Sequence, residues 1–347
     1  MKKFLLTIGT AAVSLLGFSG AAFAQRYTDI GLSGGITNFF GDLGNETGRI
    51  PYTSTNMGFA VTARNFLNNP QKSGIQYKPL SVEARFSFHR LGYDEAQPIG
   101  GMQGSELRNY YRGINFRNDV IGVSAHISYT LYPNKYRSLY KQKFAFFGYA
   151  GIGAFYSNPK ADLFRGSIDL ANRYYAWTDG TLRDAPENSG HGNAVQRDGV
   201  YETTLSNWRT EGQGDNSETG KRPMYKKVNI GFPAGCGVRY GMSRTVTLSA
   251  EFAVYYFLTD YLDDVSSRYA TSSEIEKNFP NDPVKQQLAT YISDPTGRGT
   301  DGTLLTPPTS RRGNPKYSDM YTYISLEVAY RFQLSLKEIY GRVASTR

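Results

Sequence analysis

The chain has little of several things that common protein classes need. Cys236 is its single cysteine, which excludes a fold held together by intramolecular disulfides. Beyond residue 24, no apolar run approaches the roughly 18 residues that a membrane-spanning helix requires. Charged residues make up only 20% of the 347 residues, which is low for a soluble domain of this length. These shortages exclude a disulfide scaffold and a helical membrane protein.

Residues that bind metals or cofactors are also scarce. The three histidines are His89, His126 and His191, and no two of them stand at metal-ligand spacing. One cysteine cannot complete a zinc site. The formal charge of +9 is dispersed along the chain. The sequence has neither a nucleic-acid-binding helix motif nor a surface for stacking single-stranded nucleic acid, so nucleic acid is not an expected partner. We expect no cofactor.

Glycine and aromatic residues are abundant. The chain contains 37 Gly, 27 Tyr and 20 Phe, and aromatic residues reach 14%. So many aromatic residues exclude a chain that is disordered throughout. Aromatic residues and spaced apolar residues favour β-structure.

The N-terminus has the features of a bacterial signal peptide. Lys2 and Lys3 are followed by a short apolar stretch, and Ala22-Phe23-Ala24 is a typical cleavage site. We therefore expect residues 1–24 to be removed and the mature chain to begin at Gln25. Since no cysteine follows the site, this is not a lipoprotein signal.

Alternation of apolar and polar residues predicts eight strands in the mature chain. It is clearest from Leu80 to His89, where five apolar residues alternate with Ser, Glu, Arg, Ser and His. The five clear segments cover residues 80–89, 120–131, 228–240, 246–256 and 322–332, and the three weaker ones cover residues 29–39, 56–65 and 144–156. Most are about 10 residues or longer, which suits tilted strands that cross a bilayer.

Charged residues fall on the polar faces of these strands, which favours a membrane barrel over a soluble sandwich. Inside a closed eight-stranded barrel, opposite charges can pair while the apolar faces meet lipid. The residues expected to form this ionic network in the lumen are Arg64, Glu83, Arg85, Arg239, Glu251, Glu327 and Arg331. Aromatic residues, Phe39 and Tyr321 among them, crowd the strand ends, as in the girdles at membrane interfaces. A secreted β-sandwich is the alternative.

The connections alternate between long and short. The two longest cover about residues 158–225 and 262–318, and one of the short turns covers residues 133–143. Outer-membrane barrels have long outer loops and short periplasmic turns. We therefore predict an all-β, eight-stranded antiparallel transmembrane barrel over residues 25–332, with both termini in the periplasm and a periplasmic tail at residues 333–347. Spaced apolar residues from Ser273 to Tyr291 could form one short helix.

Three motifs stand at the strand ends: Phe39-Phe40-Gly41-Asp42-Leu43-Gly44, Thr259-Asp260-Tyr261-Leu262-Asp263-Asp264-Val265-Ser266, and the ending from Asp319 through Tyr330-Arg331-Phe332. They resemble motifs of a group of Bacteroidota outer-membrane barrels that includes the PorG-like component of the type IX secretion system. The resemblance covers the strands but not the two longest loops. It implies an eight-stranded barrel that associates with a periplasmic ring of the secretion machine, without catalysis.

Two residue groups leave alternatives open. His126 and Ser128 share a polar strand face, as in lipid A deacylases, but no Glu follows within 15 residues to complete a catalytic set. A hydrogen-bonded lumen histidine is the other interpretation, so we do not expect an enzyme. Asp260, Asp263 and Asp264 lie where a strand reaches the outer rim. They could supply calcium ligands or cap the loop through bonds to its backbone.

A docking surface is expected on the periplasmic side. Its basic part is Lys135, Arg137, Lys141 and Lys143 in one short turn, and its apolar part is Leu336 and Ile339 in the tail. Two functions are consistent with these sequence features. The first is a structural component of a secretion complex that docks a periplasmic ring, and the second is a stand-alone barrel for adhesion, lipid contact or envelope integrity. A general porin is disfavoured, because eight strands leave a lumen that side chains fill.

Overall fold

A computed structural model describes residues 26–43, 54–66, 79–95, 109–110, 112–214, 222, 224–296 and 311–334. Within them, eight long strands, four two-residue strands and three α-helices follow one another. The long strands are β1 (Arg26–Phe40), β2 (Thr55–Phe66), β3 (Leu80–Asp94), β4 (Asn115–Leu131), β5 (Phe144–Tyr156), β10 (Val228–Gly241), β11 (Val246–Phe257) and β12 (Met320–Leu334). The short strands are β6 (Lys160–Ala161), β7 (Tyr175–Ala176), β8 (Leu182–Arg183) and β9 (Thr203–Thr204), and the helices are α1 (Leu139–Gln142), α2 (Ser272–Asn278) and α3 (Pro283–Ser293).

The eight long strands close into an antiparallel barrel in which each strand pairs with its neighbours in the chain. The ring closes where β1 pairs with β12, with Arg26 opposite Leu334, and β3 pairs with β4 along its whole length. This confirms the predicted fold. Closure leaves no free edge among these strands, so every strand has a hydrogen-bonding partner on both sides.

The two faces of the barrel follow the period of two in the sequence. Outward side chains are apolar and exposed, for example Leu32 (65%), Ile127 (65%) and Leu326 (71%), whereas inward ones such as Glu83 and Arg85 are buried. An apolar outer wall around a charged interior is the arrangement of a barrel that spans an outer membrane. In the described part of the chain, no helix has the length and apolar character needed to cross a membrane.

Aromatic residues lie on the outer wall at both ends of the barrel. Tyr330 and Phe332 contact each other at 4.8 Å between ring centroids at the end that carries the termini, and Tyr256 is exposed at the opposite end. Phe39 and Tyr321 are exceptions to the expected girdle. Both face the interior and are buried, where Phe39 contacts Phe116 and Tyr321 stacks on Tyr255.

The connections differ between the two ends. At the terminal end, where β1 begins and β12 finishes, the turn between β4 and β5 contains α1, and Gly241 N donates to Lys143 O at 2.7 Å. At the other end, the described residues of 158–227 and 258–319 pack together as one body, which we call the distal cap. Its residues Leu163, Leu205, Leu262 and Leu288 belong to the same apolar core as barrel residues such as Tyr255 and Phe257.

Two boundaries differ from the sequence prediction. The single helix expected from Ser273 to Tyr291 is two helices, since Thr271 and Glu274 form a capping box at the start of α2 and Asp282 caps α3 just before Pro283. Strand β12 extends past Phe332 to Leu334 because it pairs with the first residues of β1. The predicted signal peptide, residues 1–24, and the tail residues Leu336 and Ile339 lie outside the described residues.

Candidate functional site

A buried ion pair with two hydrogen bonds joins opposite walls of the barrel. Arg85 on β3 donates from Nη1 and Nη2 to the two carboxylate oxygens of Glu251 on β11, at 2.7 and 2.9 Å. Tyr149 donates to the same carboxylate at 2.7 Å, and Arg85 Nε donates to Thr62 at 3.2 Å. Arg85 and Glu251 are almost fully buried, so the pair ties the walls together across a closed interior.

A second set of four charged residues lies beside this pair. Arg64 donates to Glu83 at 2.7 Å and to Glu327 at 3.1 Å, and Arg239 donates to Glu83 at 2.9 Å. Arg239 also donates to the Thr130 hydroxyl at 2.6 Å. With Arg85 and Glu251, the lumen thus holds three arginines and three glutamates, and opposite charges compensate each other without solvent.

Arg331 is the one predicted lumen residue that sits apart from this set. It forms a bidentate contact with Asp29, at 2.7 and 2.9 Å, near the terminal end. Asp29 was missed in the sequence, although it stands opposite Arg331 in the register of β1 and β12. Its place on the polar face of residues 29–39, one of the three weaker predicted strands, was the available signal.

His126 and Ser128 point into the lumen but form no catalytic pair in the described structure. The His126 ring stacks on Tyr149 at 4.8 Å, and neither ring nitrogen has a hydrogen-bonding partner. The Ser128 hydroxyl accepts from Arg239 at 3.3 Å. A serine nucleophile needs an adjacent base that is itself oriented, and this arrangement supplies neither.

His89, another histidine in the lumen, is surrounded by tyrosine rings. Its Nδ1 lies 2.9 Å from the Tyr321 hydroxyl, and its ring contacts those of Tyr255 and Tyr323 at 5.0 and 4.4 Å. These rings fill the lumen just below the distal cap. Buried side chains therefore occupy the lumen both at the level of the ion pairs and at the level of the His89 rings.

The structure does not gather Asp260, Asp263 and Asp264 around a common centre. Asp264 accepts from the hydroxyls of Thr210 (2.5 Å) and Tyr225 (2.6 Å), whereas Asp263 accepts from Val265 N at 2.9 Å. Among the described residues, no group of three or more His, Cys, Asp or Glu side chains is arranged to hold a metal ion. Burial raises the pKa of Asp264 to about 6, and Arg312 opposes that rise.

Two further aspartates reach the same rim from the other sequence motifs. Asp319 Oδ2 accepts from Leu262 N at 2.7 Å, and Asp42 Oδ2 accepts from Asn314 N at 2.6 Å. Both residues belong to the sequence motifs, but the motifs alone do not predict a role for them. The adjacency of β1, β12 and β11 brings all three motifs together.

Buried ion pairs hold the distal cap together. Glu211 accepts from the backbone of Ser266 (2.8 Å) and Ser267 (3.0 Å), and lies 3.5 Å from Arg312. Arg112 pairs with Glu95 and donates to the carbonyls of Arg312 and Asp42. Sequence reasoning missed these residues, because loop residues carry no period that reveals which of them face inward.

The predicted basic surface lies at the terminal end of the barrel. Lys135, Arg137, Lys141 and Lys143, called the basic end here, are all exposed. Asn134 and Gln142 hold the turn in shape: Asn134 N donates to Gln142 Oε1 and Gln142 Nε2 donates to Arg137 O, both at 3.0 Å. The four cations therefore stand on an ordered turn.

Comparison with known proteins adds little to these observations. No protein-family model and no curated protein matches this chain. Solved structures that match include Ail, the attachment invasion locus protein of Yersinia pestis, in complex with a heparin analogue (10% identity, 89% of this chain and 100% of that chain, TM-score 0.33). Others are Neisserial surface protein A (10%, 88% and 97%, 0.29) and a major outer membrane protein from Thermus thermophilus (12%, 89% and 100%, 0.33). Values this low carry no functional argument. The chain's own strands make it an eight-stranded outer-membrane β-barrel.

Proposed function

We propose that this protein is a structural component of an outer-membrane protein secretion complex, similar to the PorG-like component of the type IX system. In this role both termini lie in the periplasm, and the basic end docks a periplasmic ring protein. The packed lumen and the absence of a catalytic pair at His126 and Ser128 favour a scaffold over a channel or an enzyme. The three motifs that resemble the PorG-like group support the type IX system as the secretion complex.

The observation that carries this proposal is the charge of the basic end. Residues 132–143 contain no acidic residue, and no described carboxylate pairs with its four cations. Arg244, in the neighbouring turn between β10 and β11, is exposed as well. A surface of one sign attracts a partner of the opposite sign and orients it during approach. The partner that fits is an acidic face of a periplasmic protein.

Exposed apolar side chains lie among these cations. Tyr136 is 63% exposed and Met242 is 57% exposed. The Lys143 ammonium lies 4.4 Å from the ring centroid of Tyr140. Aromatic residues and Met are enriched at protein interfaces, where they supply buried contact area. The basic end therefore offers both electrostatic attraction and apolar anchors.

Charge reversal tests the docking proposal. In cells, the variant with Lys135, Arg137, Lys141 and Lys143 all changed to Glu should still insert in the outer membrane but should lose its co-purifying periplasmic protein. The matched control reverses four exposed cations of the distal cap: Lys277, Lys285, Arg311 and Lys316. This control should retain the partner. If the basic-end variant keeps its partner and secretion is normal, the proposal is wrong. If only the bound lipid changes in this variant, the basic end contacts lipid instead of a protein.

A stand-alone barrel for adhesion is the second candidate, and the distal cap favours it. The cap is a folded body that exposes separate apolar side chains, including Val200 (52%), Val284 (63%) and Tyr317 (69%). Replacing these three with Ser should abolish surface attachment if adhesion is the function. It should leave secretion and the periplasmic partner untouched if the first proposal holds.

A further inference from the structure

A buried group of carboxyls joins the distal cap to the barrel. Asp260 and Asp263 follow β11, and Asp319 directly precedes β12. The backbone ties the two segments together, since Asp319 N donates to Thr259 O and Phe257 N donates to Asp319 O, both at 3.1 Å. Asp263 and Asp319 are fully buried. Any change in the charge of this group therefore acts at the point where the cap meets the barrel.

Each of the two fully buried carboxyls has one satisfied and one unsatisfied oxygen. Asp319 Oδ2 accepts from Leu262 N, and Asp263 Oδ1 accepts from Val265 N. Among the described residues, neither Asp319 Oδ1 nor Asp263 Oδ2 has a hydrogen-bonding partner. An ionised carboxylate only accepts hydrogen bonds, and a buried anion without a donor is strongly unfavourable. A proton on either oxygen would remove the charge and create the missing donor.

Among the described residues, the surroundings of the group do not compensate its charge. Asp42 and Glu211 add negative charge beside it, and Asp42 raises the pKa of Asp263 and of Asp319. The positive groups nearby are already engaged with other carboxylates: Arg312 with Asp264 and Glu211, and Arg112 with Glu95. The group is thus rich in carboxyls and short of cations.

The pKa directions agree with this geometry. Burial is the main cause that raises the pKa of Asp263 and Asp319 well above the ordinary value of 3.8. Burial also raises the pKa of Asp260 to about 8, and the negative charges of Asp42 and Glu211 add to that rise. All three carboxyls therefore hold protons more tightly in the closed cap than they would in water.

We propose that Asp260, Asp263 and Asp319 form a proton-binding carboxyl group that fastens the distal cap to the ends of β11 and β12, and that loss of its protons loosens the cap. An acid whose pKa is higher in the closed state stabilises that state at low pH. This contribution begins to fall once the pH exceeds the ordinary carboxyl value, and it is lost as the pH rises through the closed-state value. The cap is therefore tight in acid and looser at alkaline pH, while the barrel is unaffected.

Amide hydrogen exchange of the full-length protein in detergent micelles tests this device. The probes are the amides of Leu262 and Val265, with an amide of the barrel wall as internal reference. After correction for the intrinsic rate, their protection should fall at least about tenfold between pH 6 and pH 8 for one held proton. The triple variant Asp260→Asn, Asp263→Asn, Asp319→Asn keeps the acceptors and cannot ionise at these positions, so its protection should change by no more than about twofold, the share of Asp264 with its pKa of about 6. Glu276→Gln, an exposed change on α2, should behave as the wild type.

The other outcomes overturn the proposal. If wild-type protection does not change from pH 6 to pH 9, no proton is linked to closure of the cap. This result comes from the wild type alone, so it does not depend on whether a variant folds. If calcium raises wild-type protection at pH 8 and a chelator reverses it, the group binds a cation instead of a proton. If the triple variant follows the same pH profile as the wild type, the titrating group lies elsewhere.

Discussion

Arg85 on β3 and Glu251 on β11 meet across the full width of the barrel, with two hydrogen bonds of 2.7 and 2.9 Å. Three strands separate them in either direction around the ring, so the pair acts as a brace between opposite walls. Because both side chains are almost fully buried, each depends on the other for compensation of its charge.

Glu251→Gln should destabilise the barrel strongly. The change leaves the Arg85 guanidinium buried without its anion, and breaking a buried ion pair in this way costs about 3–5 kcal/mol. The free energy of unfolding in lipid vesicles, from urea titration followed by circular dichroism of the β-sheet, measures the loss. The exposed change Glu276→Gln should alter it by less than about 0.5 kcal/mol.

Replacing both partners should cost much less than replacing one. Arg85→Met combined with Glu251→Leu removes both buried charges, and apolar residues in place of a buried pair are often neutral or stabilising. The double variant should therefore recover most of the stability that Glu251→Gln loses. A double variant as unstable as the single one would show that the pair contributes through packing with Tyr149 and Thr62 rather than through charge.

The protein should not form a large stable channel. Arg85–Glu251, the Arg64 and Arg239 contacts and the rings around His89 occupy the lumen at successive levels. Single-channel recording in planar bilayers should show no steady current of porin size, with a general porin in the same lipid as the positive control. A steady, porin-sized current would mean that the interior opens in the bilayer.

Glu211→Ala should loosen the distal cap and leave the barrel intact. Glu211 accepts from Ser266 N and Ser267 N and lies beside Arg312. Its loss leaves buried donors unsatisfied, at about 1–3 kcal/mol each. Limited proteolysis should cut the cap of the variant faster than the cap of the wild type. The change in gel migration on heating, which reports a folded barrel, should match the wild type. Equal cleavage rates would show that other contacts hold the cap.

The barrel could be predicted because its signal is repeated. Five of the eight strands carry the same clear alternation, and the odd or even position of a residue in such a strand is enough to assign side chains such as Glu83 and Arg239 to the inside. Parity does not reveal which residues meet across the lumen, because that depends on the stagger of strands around the ring. The sequence therefore identified Arg85 and Glu251 as lumen residues but not as partners, and it missed Asp29 as the partner of Arg331.

The distal cap could not be predicted in the same way. Its key contacts join residues far apart in the chain, as Glu211 and Ser266 show, and no period marks them. The motif aspartates at residues 42, 260, 263 and 319 were visible as sequence features. Their convergence depends on the order of β1, β12 and β11 in the closed sheet, which places the ends of three separate motifs side by side.

Gly41→Ala should disturb the distal cap through Asp319. A Cβ atom at residue 41 would lie 2.4 Å from Asp319 Oδ1 and 2.3 Å from the Phe39 ring, so the buried carboxyl and the ring must both move. The amides of Leu262 and Val265 should then lose protection in hydrogen exchange. The matched control is Gly34→Ala in β1, the strand that Gly41 follows, where the added Cβ meets Phe59 at an ordinary 3.6 Å. If both variants keep wild-type protection, the rim yields to a methyl group and Asp319 is not held in one place.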